Sequence, residues 1–312
     1  MKMRWIAAAA ALVMLAAPVA SAQPIIVLTG GASGVYYPLG VTIAKIYADI
    51  PGSQVEVQTT DGSVENLARL QQGSGQIAFA LGDALQDAWT GNTAAGFDGK
   101  LDKLRVIGAL YPSFIQIVAT RDSGIRTLSD LKGRSLSVGA EKSGTELNAH
   151  AILAAAGLKE SDLGRIENKD FAESAQLMAK KQLDATLQSA GLGVTSLKEL
   201  SDNNEVVLVP VPKAVVRKMG APFRLGMIPA GTYLGQSREI QTATVMNYLV
   251  TSAAVSDDLA YQMTRLVFDS LPELAIAHMV GSEIRRKNAA RSGPVPLHPG
   301  AIRYYREKGL LR

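Results

Sequence analysis

Past the first two dozen residues, apolar positions recur with two alternating periods. Ile25–Leu28, Val55–Gln58 and Ile77–Leu81 have the length and composition of strands. Val35 to about Ala48, Ser63–Gln72 and Asp83–Thr90 carry apolar residues at helical spacing, with Leu39, Ile43, Ile46 and Tyr47 on one face. This β-α-β-α order predicts a mostly parallel sheet with helices on both sides. After a Gly-rich stretch over 91–99, Leu104–Leu110 and Ile115–Thr120 read as two strands separated by Tyr111-Pro112-Ser113. A second series follows: a short helix at Leu128–Leu131, a strand at Leu136–Val138, helices at Gly144–Ala156 and Phe171–Lys181, and strands at Ala185–Leu187 and Val206–Pro210. The segment Pro210–Pro222 changes character. Leu225–Ile228 and Thr244–Leu249 then read as strands, and from Ser256 the pattern is almost wholly helical.

Two α/β series followed by a helical tail predict two lobes. With no low-complexity linker between the series, strands rather than a tether should join them. The crossings are expected near Tyr111–Gln116 and near Pro212–Arg224, with the tail packing back on the first lobe. Lobe I is then discontinuous, residues 23–113 and 223–312, and lobe II covers 114–222. The expected class is α/β, two lobes joined by crossing strands with a helical C-terminal tail.

The first 22 residues are read as a signal peptide. Lys2 and Arg4 precede an apolar run from Ile6 to Ala17, and Ala20-Ser21-Ala22 supplies small residues before a cleavage site at Gln23. The run is well short of the roughly twenty residues that span a bilayer. The expected location is the periplasm. About 290 residues remain, too many for one ordinary core. The formal charge of +4 falls to about +2 without Lys2 and Arg4, and the remaining charges are interspersed, which argues against nucleic acid as a partner. Cysteine is absent, which excludes disulfides and thiolate chemistry. His150, His278 and His298 are widely separated and show no metal-ligand spacing, and no cofactor motif is present.

Three loops share one design, lying directly before a helix. They are Thr29-Gly30-Gly31-Ala32-Ser33-Gly34, Thr59-Thr60-Asp61-Gly62-Ser63 and Glu141-Lys142-Ser143-Gly144-Thr145. A helix start presents unpaired N–H groups and the positive end of the helix dipole, which together suit an anion. In an open α/β sheet, ligands bind beyond the carboxyl ends of the strands. Two of the loops belong to lobe I and the third to lobe II, so facing lobes would bring all three to one cleft. Taken singly, Ser63 and Ser143 read as helix caps. One of Tyr36 and Tyr37 is expected to pack inward and the other to reach the cleft. Asp83, after the third strand, reads as an N-cap, and Tyr233 as a cleft residue. Arg121 and Arg224 lie near the expected crossings. No G-x-S-x-G, H-E-x-x-H or paired acid and base is present to support an enzyme.

Thr29-Gly30-Gly31…Gly34-Val35-Tyr36-Tyr37-Pro38-Leu39-Gly40 resembles the opening motif of the TAXI-type solute receptors of tripartite ATP-independent periplasmic (TRAP) transporters. Gly62-Ser63-Val64-Glu65-Asn66-Leu67, Asp130-Leu131-Lys132-Gly133, Val138-Gly139 with Ser143-Gly144-Thr145, Gln182-Leu183-Asp184-Ala185 and Leu297-His298-Pro299-Gly300-Ala301 are similar to later motifs of that family, in order. The resemblance implies a type II periplasmic binding protein-like fold. It also implies capture of glutamate, glutamine or a C4–C5 dicarboxylate such as 2-oxoglutarate and its delivery to TRAP permease subunits; the chain itself is expected to be a monomer. It places Ser33, Tyr36, Ser63, Asn66, Ser143 and Thr145 at the ligand; Gly31, Asp83 and Tyr233 complete the candidate set. Leu81-Gly82-Asp83 and Gly191-Leu192-Gly193 depart from the family pattern where the cleft is expected. The competing readings are an ABC-type receptor for another organic anion, an exported enzyme on the same scaffold, and a surface protein that takes a peptide in its cleft.

Overall fold

The computed structural model describes residues 24–291 and 293–312. The expected signal peptide and its cleavage site lie outside the described residues.

From Ile25 to Thr90 the chain folds as anticipated from its pattern. Strands β1 (Ile25–Leu28), β2 (Val55–Gln58) and β3 (Ile77–Leu81) alternate with helices α1 (Tyr36–Tyr47), α2 (Ser63–Gln72) and α3 (Gly82–Thr90). β1 pairs in parallel with β2 and with β3. Successive strand residues point to opposite faces of a sheet. Val27, Ile77 and Phe79 accordingly join one apolar cluster with Leu39 and Ile43 of α1, while Leu28, Ala78 and Ala80 join another with Leu67 and Leu70 of α2.

Two long strands carry the chain between lobes. β4 is one continuous strand, Leu104–Thr120, rather than the two expected. Pro112 lies inside it without breaking it, and the register shifts nearby, between Met246 and Tyr248 of the partner strand. There the buried Asn247 side chain donates to Tyr111 O at 2.9 Å and to Ser113 Oγ at 2.8 Å. A proline is tolerated in a strand where the ladder is already irregular.

The second lobe contains β5 (Ser135–Ser137), α4 (Gly144–Ala156), β6 (Arg165–Glu167), α5 (Phe171–Ala179), β7 (Ala185–Ala190), α6 (Thr195–Asn203), β8 (Val206–Val209), α7 (Lys213–Met219) and β9 (Arg224–Ile228). Its core gathers Ile115, Ile117, Leu136, Ile152, Leu187 and Val209. The return strand, β10 (Ile240–Ser252), pairs with β9 through Ile240–Thr244, then with β4 and β3. The second crossing therefore lies in β10, near Thr244–Met246, and not at Pro212–Arg224. Ala243 still belongs to the second core. On this pairing we propose that residues 223–243 go with lobe II, beyond the limit expected at residue 222. Pro210 and Pro212 lead into α7, with Pro212 at its N-cap, and Pro222 follows its end.

The sheet order is β2-β1-β3-β10-β4-β7-β5-β6, with β8 on β4 and β9 on β10. The tail folds as α8 (Asp257–Asp269), α9 (Leu271–Ala277), α10 (Arg286–Ala289) and α11 (Pro299–Glu307). Phe268, Tyr304 and Tyr305 are buried in the first-lobe core, and Tyr305 OH donates to Ile107 O at 2.9 Å. Gly108 leaves room for this packing: a Cβ there would lie 2.6 Å from Phe268 Cζ. Among the described residues, no helix is long and apolar enough to cross a membrane.

Candidate functional site

A cavity of about 530 Å³ opens between the lobes at the helix starts. From lobe I, Gly30, Gly31, Tyr36, Thr60, Asp61 and Ser63 line it. Ser143, Gly144, Thr145, Asp170, Phe171 and Ser189 line it from lobe II, with Tyr111 and Ser113 at the crossing. All three loops singled out in the sequence reach this one space. The reason is topological: each precedes a helix at the carboxyl end of its strand, and the crossing strands turn those ends toward each other.

The lobes touch around the cavity. The Glu65 N–H, in the first turn of α2, donates to Lys142 O at 3.2 Å. Gly144 sits so close to α2 that an added Cβ would lie 2.7 Å from both Ser63 Oγ and Leu81 Cδ1. A Cβ on Gly34 would be 3.8 Å from the Phe171 ring. The arrangement is a closed one.

The candidate residues divide into two groups. Gly31, Tyr36, Ser63, Ser143 and Thr145 line the cavity. Ser143 also caps α4, its Oγ accepting from the Glu146 N–H at 3.0 Å. Ser63 does not cap α2; its Oγ accepts from the Leu81 N–H at 3.0 Å and ties the helix start to the end of β3. Tyr36 OH donates to Asn247 Oδ1 at 2.5 Å, so the first helix is fixed to the crossing. Burial, ahead of nearby Asp83, pushes the Tyr36 hydroxyl well above its ordinary pKa.

Ser33, Asn66, Asp83 and Tyr233 lie outside the lining. Asn66 is fully buried and its hydrogen-bonding capacity is spent. Its Nδ2 donates to Thr29 O at 2.7 Å and Phe79 O at 2.9 Å, and its Oδ1 accepts from Thr60 Oγ1 at 2.7 Å. It stitches the ends of β1 and β3. Tyr233 is buried with its hydroxyl donating to Gln116 Oε1 at 2.5 Å, beside a different surface hollow. Asp83 is not the N-cap of α3, a position held by Leu81, but lies within its first turn. Tyr37 is half-buried and also lies outside the lining.

Tyr111, Ser113, Asp170, Phe171 and Ser189 were missed. Asp170 caps α5, accepting from the Glu173 N–H at 2.8 Å. That cap before a helix is the signal that marked the other three loops, so α5 is a fourth helix start at the cavity. Ser189 stands at the carboxyl end of β7, where the general rule for α/β sheets would have placed a ligand.

Among the described residues, no lysine or arginine lines the cavity. Arg121 instead pairs with Glu205 at 3.0 Å on the surface. Three carboxylates, Asp61, Glu65 and Asp170, lie along the lining. The Asp61 carboxyl is raised above its ordinary pKa, first by burial, then by the charges of Glu65, Glu141 and Asp170, with Lys142 opposing. Among the described residues, no group of three or more His, Cys, Asp or Glu is placed to hold a metal.

Two α/β lobes exchanging strands through β4 and β10, with a cavity at the crossing, define the fold of the type II periplasmic binding proteins. The chain belongs to the NMT1-like family, whose model matches residues 27–309. Among solved structures, it is similar to periplasmic binding protein BugD, at 12% identity over 92% of this chain and 94% of that one, with a TM-score of 0.58. It is also similar to the alkanesulfonate-binding protein SsuA from Xanthomonas axonopodis pv. citri bound to MOPS, at 15% identity over 93% and 94%, with a TM-score of 0.51. A putative L-cystine ABC transporter from Listeria monocytogenes gives 13% identity over 85% and 98%, with a TM-score of 0.52.

Proposed function

We propose that this chain is an exported, non-catalytic solute receptor. Its lobes close on a small solute bearing a carboxylate or similar oxyanion, which it hands to a membrane transporter. The observation that carries this reading is the interlobe cavity walled by helix starts from both lobes and lined by hydroxyls, with no basic side chain among the described residues. In such a site an anion rests on backbone N–H groups and helix dipoles rather than on an arginine. Gly31, Tyr36, Ser63, Ser143 and Thr145 are the contacts expected from the original set, with Ser189 and Phe171 added.

The acidic lining narrows the choice of solute. A dicarboxylate such as 2-oxoglutarate would set two negative charges against Asp61, Glu65 and Asp170. An amino-acid-like solute would turn its ammonium toward them and its carboxylate toward the helix starts. Of the similar solved structures described above, two are titled binding proteins and the third a putative L-cystine ABC transporter. That supports an ABC-type importer as partner ahead of a TRAP permease, which rests on the ordered motifs alone.

Mass spectrometry of solute retained through purification, followed by calorimetry with glutamate, glutamine and 2-oxoglutarate, tests the reading. A small amino-acid-like anion bound unchanged is the expected result. Conversion to product, or a peptide in the cleft, would refute it. In membrane vesicles containing the partner, uptake driven by ATP rather than by a sodium gradient would identify the importer class.

A further inference from the structure

Behind the cavity, α3 of lobe I meets α4 of lobe II. Asp83, 7% exposed, and Asn148, fully buried, touch there, with Asn148 Nδ2 donating to Asp83 Oδ2. Leu147 of α4 packs alongside against the core that contains Leu85 and Ala88. Two acceptors are left without a partner among the described residues: Asp83 Oδ1 and Asn148 Oδ1. A buried acceptor left unmade is costly, and two of them on residues already paired with each other share one remedy. A carboxylate has no hydrogen to give, but a carboxylic acid has one. Turning the Asn148 amide over would set its oxygen against Asp83 Oδ2, which again requires a proton on the acid.

We infer that Asp83 and Asn148 form a proton-binding latch between the lobes, in which protonated Asp83 donates from Oδ1 to Asn148 Oδ1 while accepting from Asn148 Nδ2. The two groups then close a cyclic acid–amide pair. The proton comes from solvent as the lobes close and returns to it as they open; no other group changes.

The surroundings agree. Burial pushes the Asp83 carboxyl up from 3.8 to about 7, against the N–H groups at the start of α3 and Asn148, and with help from the charge of Asp87. The other titratable groups facing this place are Tyr36 of α1 and, across the shallow outer hollow, His150 and Glu160. His150, half-buried, and Glu160, exposed, pair with each other at 2.9 Å. With the lobes open, Asp83 meets water and returns to the ordinary carboxylate range. Below that range both arrangements hold the proton, so pH has no effect. Between that range and about 7, closure takes up a proton and weakens as pH rises, by up to about tenfold per unit. Above that window Asp83 is ionised in both arrangements and the dependence ends.

The test uses the purified chain stripped of solute, so its outcome is independent of the receptor reading. Small-angle scattering from pH 5 to 8 should show the radius of gyration growing as pH rises. Asp83→Asn should stay compact at every pH, because its amide donates to Asn148 Oδ1 without a proton, and His150→Gln should behave as the unaltered chain. Independently of any variant, carbon-13 NMR of labelled aspartate should show one carboxyl titrating between pH 6 and 8. A radius that does not respond to pH, an Asp83→Asn chain that follows the unaltered one, or no aspartate titrating in that interval would each overturn the latch.

Discussion

Replacing Gly144 by alanine separates folding from closure, because the nearest atoms that the added methyl meets all belong to the facing lobe. Its Cβ would lie 2.7 Å from Leu81 Cδ1 and Ser63 Oγ and 3.0 Å from Ser63 Cβ, all on the facing lobe. Unstrained non-bonded contacts lie near 3.5–4.0 Å. Neither neighbour gives way easily, since Ser63 Oγ is held by the Leu81 N–H and Leu81 is 2% exposed. Forcing a methyl into a packed contact of this kind costs about 1–3 kcal/mol, which corresponds to about five- to a hundredfold weaker solute binding. Gly144 opens α4 at a backbone conformation open to alanine, so the same change should raise the stability of the open chain by about 0.4–1 kcal/mol. The two effects have opposite signs. Calorimetric titration against the retained solute, paired with urea unfolding of the solute-free chain, reads both. An affinity within twofold of the unaltered protein would refute the closed contact, and a parallel fall in stability and affinity would show that the methyl disturbs lobe II itself.

Thr145→Val keeps the shape at the start of α4 but removes a hydroxyl facing the cavity, and should weaken solute binding by about ten- to a hundredfold if that hydroxyl meets the charged group. Arg121→Ala and Arg224→Ala should change calorimetric affinity little, since neither arginine lines the cavity; a large loss at either would indicate a direct ion pair instead. Asn66→Ala leaves Thr29 O and Phe79 O without its donors and should lower unfolding free energy by about 2–4 kcal/mol in urea, with a secondary effect on binding. Phe268→Ala empties the space above Gly108 and should cost about 3–5 kcal/mol of stability by the same measurement.

The sequence by itself determined the elements whose pattern is local. The short apolar run at Ile77–Leu81 and the stripe of Leu39, Ile43 and Ile46 are patterns of a single strand and a single helix, and they were legible as such. So were the three helix-start loops, because glycine and serine before an apolar helical run carry their meaning within a few residues. The ends of the crossings were less legible. Pro112 reads as a break, yet β4 runs through it, because the irregular ladder and the Asn247 side chain supply what a proline cannot. β10 was read only over Thr244–Leu249, because Gln241 and Thr242 hide the buried start of a strand that runs from Ile240 to Ser252. The fate of individual polar side chains belonged to the tertiary structure alone. Asn66 and Ser63 sit three residues apart in one motif, yet one is consumed by strand carbonyls and the other faces the cavity. Asp83 and Asn148 are 65 residues apart, and nothing near either announces the other. Local spacing fixes which face a residue takes on its own element. Which group waits on the far side depends on how two lobes meet, and that is set by the summed packing of both.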